Sequence, residues 1–180
     1  MPKPAAGEYA VYHEAYINLV EAPDVTEAIR IYSPQINEFF NLIPENKAAF
    51  RYAPGKWSLK EMLQHIIDAE RIFCYRVLTF VRKDQTPLPG FDENSYAANS
   101  NADARSWLNL LEEFQAVRKA TDLLYASLNE EQLGVMSVAN NYPVTANTFC
   151  FVTFGHILHH CNIIRERYLL VAESSSPIEL

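Results

Sequence analysis

The chain has 180 residues, 49% hydrophobic and 21% charged, which is enough apolar material for one core and too little charge for a disordered chain. Its net charge of −7 argues against nucleic acid or an anionic membrane as a partner. The three cysteines make no disulfide framework, the N-terminus has no signal-like apolar stretch, and no run reaches the roughly 18 apolar residues of a membrane span, so a cytoplasmic protein is expected.

Pro23, Pro44, Pro54, the Pro87/Pro89/Gly90 cluster, Gly134 and Pro143 divide the chain into four long segments. None alternates with period two, so all four are read as helices and no strand is predicted. Residues 1–23 form an N-terminal arm, whose 9–20 piece fits either a short helix or a wrapped extension. The first long helix is expected over about 24–42, capped by Asp24 with Glu27 three residues on, and striped by Ile29, Tyr32, Ile36, Phe39 and Phe40. Pro34 inside it predicts a kink, or a restart with Ser33 as a new cap.

Ser58-Leu59-Lys60-Glu61 reads as a capping box, with Trp57 placed to staple against Met62. The helix that follows should run to about Arg82. Residues 83–101, too long for a tight bundle turn, suit a crossover or a lid bordering a pocket. A third helix is expected over about 102–127, and a fourth from near Thr145 to near Val171, apolar nearly all round in its first half. Four such helices make an all-α four-helix bundle spanning 24–171, with 172–180 as a flexible tail.

Histidines carry the chemistry. His156 and His160 are four residues apart, so their side chains lie about 40° apart on one helix face and can converge on one ion. His65, from the second helix, supplies a third nitrogen and leaves coordination positions open on a divalent metal. Buried imidazoles in apolar surroundings need partners, which raises this reading above a chance polar seam. Asp68, one turn beyond His65, is a further ligand, a base, or an acceptor fixing an imidazole tautomer. His159 diverges by about 80° and is read as flanking. His13 is read as exposed or locally bonded, and Gly155 as a point of close approach. Cys74, Cys150 and Cys161 face away from the histidines and are read as small core residues. Arg76 and Arg167 return to the histidine faces, where each either orients an anionic substrate or serves as a dipole or ion-pair partner.

The stretch 54–71, with Trp57, the capping box, His65 and Asp68, resembles the DinB superfamily, as do the run Gly155-His156-Ile157-Leu158-His159-His160 and the loop Leu88-Pro89-Gly90-Phe91-Asp92-Glu93-Asn94. The resemblance implies an up-down-down-up bundle, often a homodimer, and a nickel or zinc ion on His65, His156 and His160. It implies a hydrolase acting on a small molecule, or a transferase of a low-molecular-weight thiol. The alternatives are a non-catalytic metal- or ligand-binding stress-response bundle and a structural bundle with a histidine seam.

Overall fold

A computed structural model describes residues 1–169. The arm holds a 3-10 turn, Val11–His13, running into α1 (Glu14–Leu19). The long helices are α2 (Val25–Asn41), α3 (Leu59–Val81), α5 (Trp107–Ala126) and α7 (Ala146–Ile163), the last extended by a π-helical stretch over Ile164–Leu169. Between them lie the short helices α4 (Glu93–Asn99) and α6 (Glu130–Leu133), and a hairpin of β1 (Met136–Ala139) and β2 (Tyr142–Thr145).

The caps are local chemistry. Asp24 accepts from the Glu27 amide, Ser58 and Glu61 complete their capping box, and Thr145 accepts from the Thr148 amide. Three expectations are corrected. The restart expected at Pro34 does not occur: α2 continues as one helix through it, and Ser33 caps nothing; its buried hydroxyl accepts from Arg118 Nη2 at 3.1 Å. α5 begins only at Trp107, with Ser106 as its cap, because 102–104 turn as a 3-10 helix. The hairpin, where no strand was expected, turns on Asn140 and Asn141, both at positive φ, as a two-residue turn between twisted strands requires.

Packing partners order the bundle. α3 and α2 each pack on α5 and on α7, which puts α2 diagonal to α3 although they are consecutive. Contacts along each pair give the directions. Arg105 reaches Gln64, and Arg118 reaches Glu70 further along both helices, so α3 and α5 are parallel. His65 meets His160 while Phe80 meets Phe149, so α3 and α7 are antiparallel. Ser33 meets Arg118 while Phe40 meets Phe114, making α2 antiparallel to α5. Tyr32 meets Phe154 and Phe39 meets Arg165, making α2 parallel to α7. The order is up-down-down-up. The long 82–106 connection makes the parallel α3–α5 step possible, since two parallel helices need a crossover of the bundle's full length.

α7 is buried on every residue from Ala146 to Ile157 because it faces α2 and α3 and is covered by α1 on its remaining side. Gly155 permits that cover, since a Cβ there would collide with the Tyr16 backbone. The arm is tied down by Asn147 Nδ2 donating to the Pro2 carbonyl at 2.8 Å and Thr148 Oγ1 to the Glu8 carbonyl at 3.0 Å. The tail, 172–180, lies outside the described residues, as do the last residues of the expected fourth helix.

Candidate metal centre

The α3 capping box sets the register that brings His65 inward two turns later, where the Trp57 ring lies against it at 4.9 Å between centroids. Across the antiparallel interface, His156 and His160 project from adjacent turns of α7. The Nε2 atoms of His65 and His160 are each 3.0 Å from Nε2 of His156, and the three side chains offer nitrogens all within 4.8 Å of one another. All three are buried.

Three ring nitrogens pointed at one spot are poorly served by one another. A neutral imidazole has one N–H, and His156 Nε2 can donate to only one neighbour. Protonation offers no relief. Burial holds the His65 pKa down at about 4, and burial together with the neighbouring histidines holds His156 and His160 well below the usual imidazole value. The lone pairs are therefore available. Ligand nitrogens about 2.0–2.1 Å from a tetrahedral ion stand roughly 3.3 Å apart, so the observed separations fit one divalent ion with little movement.

The cluster opens into a cavity of about 350 Å³. Its walls include Phe73, Arg76 and Val152 from the bundle, Gly90, Phe91 and Glu93 from the crossover, Asn140 from the hairpin turn, and Tyr12, His13 and Tyr16 from the arm. The crossover thus borders the pocket, held there by its Leu88 amide donating to the Val138 carbonyl at 3.0 Å and the Asn140 amide donating to Leu88 at 2.9 Å.

Asp68 is not brought to the cluster. Its carboxylate accepts from Gln64 Nε2 at 2.9 Å and lines a separate depression with Ser95 and Tyr96, while burial raises its pKa. His159 is half-buried, its ring against Tyr16 at 5.5 Å and His160 at 5.2 Å, and stays outside the convergent three. Arg167 turns to the Tyr52 hydroxyl at 3.2 Å. None of the three cysteines lines the cavity.

His13 corrects the expectation of an exposed or locally bonded side chain, its ring nitrogens having no hydrogen-bond partner among the described residues. It is buried in the cavity wall, beside Tyr12 and Phe149, and burial with the Arg76 charge lowers its pKa to about 4. The signal was present: Tyr9, Tyr12, His13, Tyr16, Ile17 and Val20 form an i, i+3, i+4 stripe, as a helix laid on the bundle must.

No curated protein matches the chain. Among solved structures it is similar to the four-helix-bundle protein YfiT from Bacillus subtilis, described as a probable metal-dependent hydrolase. The TM-score is 0.67 at 14% identity, covering 91% of this chain and 90% of that one. The family model of the DinB superfamily matches residues 34–164, which take in the second half of α2, the rest of the bundle and all three clustered histidines. With nearly three quarters of its length so matched, the chain belongs to the DinB superfamily.

Proposed function

We propose that the protein is a metal-dependent enzyme acting on a small molecule, with one nickel or zinc ion held by His65, His156 and His160. The convergence of the His65 and His160 Nε2 atoms to 3.0 Å from Nε2 of His156, in the wall of a cavity, carries this reading. A divalent ion there supplies Lewis acidity and lowers the pKa of a water or thiol presented to it. The chain's own part is to hold three neutral imidazoles ready, to leave the cavity side open, and to line that side with the apolar rings of Trp57, Phe73, Phe91 and Tyr16. With every cysteine outside the cavity, the reaction is hydrolysis, or transfer of a low-molecular-weight thiol brought in as cosubstrate. The description of YfiT as a probable metal-dependent hydrolase supports the first form. The proposal includes a cytoplasmic homodimer, in keeping with three unpaired cysteines and with the family resemblance.

The test uses untagged protein. Elemental analysis and calorimetric titration with Ni²⁺ and Zn²⁺ should give one ion per chain, and His65→Ala should lose it while keeping the helical circular-dichroism spectrum. Wild-type protein that takes up no ion overturns the reading. Turnover is then screened with and without thiols. Full metal loading with no turnover in either screen would leave a non-catalytic metal-binding bundle.

A further inference from the structure

Arg76 is out of keeping with the rest of the interior. It is 5% exposed, yet it pairs with no carboxylate among the described residues, and its single hydrogen bond there runs from Nη2 to the Pro89 carbonyl at 2.8 Å. The fold's other buried arginine shows what a structural one looks like. Arg118 is held by Glu70 at 2.8 Å, by Asp122 and by Ser33. A buried cation without a counter-charge is costly, and burial accordingly lowers the Arg76 pKa.

The surroundings of Arg76 offer ring faces in place of acceptors. Its Cζ stands 5.2 Å from the Phe149 centroid and 5.9 Å from that of Phe73. Nε and Nη1 have no partner among the described residues, and the side chain lines the same cavity as the three histidines. His13 lies against the same Phe149 ring, 5.8 Å between centroids, and near enough for the Arg76 charge to act on it; it is 4% exposed, with neither ring nitrogen hydrogen-bonded among the described residues and Nδ1 sealed from solvent. Nε2 is then the nitrogen left to face the cavity, on a ring that burial keeps neutral. Glu93, exposed and lining the same cavity, makes no ion pair with Arg76.

We infer that Arg76, with His13 beside it, forms a subsite for a carboxylate, so that the substrate is a small carboxylic acid anchored at Arg76 with its reacting end at the histidines. The assignment of the reacting end rests on the metal reading above; the carboxylate end does not. Arg76 follows His65 by 11 residues, about 16 Å along the helix axis, and its side chain leans back toward the N-terminus. Phe73 bridges the remaining gap, touching His156 at 5.6 Å and Arg76 at 5.9 Å, so an apolar linker on the order of 10 Å long lies across it. Arg76 falls within the family-matched segment and His13 outside it, on the arm.

The probe is 3-phenylpropionate, titrated calorimetrically into metal-free and Zn²⁺-loaded protein, with 3-phenylpropanamide as the uncharged control. Wild type should bind the acid in both metal states and the amide at least tenfold more weakly. Arg76→Gln should weaken the acid at least tenfold and leave Zn²⁺ affinity within about twofold. His65→Ala, which removes the metal, should keep the acid. Arg76→Met separates anchoring from structure: a group held at a cost to stability leaves the ligand-free melting temperature equal or higher, whereas a structural arginine lowers it. Acid binding that is undetectable in wild type, or unchanged in Arg76→Gln, overturns the subsite. Failure to bind Zn²⁺ sinks the metal reading alone, because the metal-free titration still tests the carboxylate.

Discussion

Gly155→Ala tests the seat of the arm on the bundle, and with it the back wall of the cavity. On an exposed helix this change stabilises by about 1 kcal/mol, because alanine restricts the unfolded chain. Here the added Cβ falls on the Tyr16 carbonyl, with the Tyr16 carbonyl carbon and Cα also too close, and all three are backbone atoms that no rotamer change can move. α1 must shift as a whole, lifting Ile17, 1% exposed, and straining the bonds from Asn147 to Pro2 and from Thr148 to Glu8. Overpacking costs about 1–3 kcal/mol, and a clash with backbone belongs at the upper end, about 2–3 kcal/mol, so after the propensity gain a net loss of about 1–2 kcal/mol is expected. Gly134→Ala is the control. It has negative φ and its Cβ would meet nothing closer than 3.4 Å, so it should be neutral or stabilising. Urea unfolding of both variants, followed by circular dichroism, reads the difference. A Gly155→Ala protein as stable as wild type would refute the close packing of α1 on α7.

Glu70→Ala leaves Arg118, buried at 1% exposure, with Asp122 as its remaining carboxylate partner among the described residues and should cost up to about 3 kcal/mol in the same assay. The His13 pKa of about 4 when folded, against 6.5 unfolded, means the unfolded chain binds the extra proton between those values, so stability falls as pH drops through that window. His13→Phe should reduce the slope of unfolding free energy against pH there by up to about 1.4 kcal/mol per pH unit, measured on metal-free protein. Cys161, its thiol pushed up to about 12 by burial, and the fully buried Cys150 should resist iodoacetamide in the folded state, while half-buried Cys74 reacts first by mass spectrometry. Cys74→Ala and Cys161→Ala should alter melting temperature and leave metal binding unchanged.

What local order decides was legible from the residues alone. The caps at Asp24 and Ser58 are set within four residues, and an i,i+4 histidine pair shares a face on any helix. His65 could be joined to that pair because a single histidine in an apolar helix leaves few other places for its ring. Tertiary structure decided what depends on neighbours far along the chain. Pro34 was tolerated because α2 is held on one side by α5 and on the other by α7, and Ser33 was drawn to Arg118, 85 residues away. The hairpin escaped because four-residue strands carry too little periodicity, although Asn140-Asn141 marked the turn. Asp68 looked near His65 in sequence, but a step of three residues turns it about 60° away, to Gln64 and the α4 side. His13 and Arg76 meet at one ring, Phe149, only because the arm folds back over α7, and no spacing within either segment encodes that meeting.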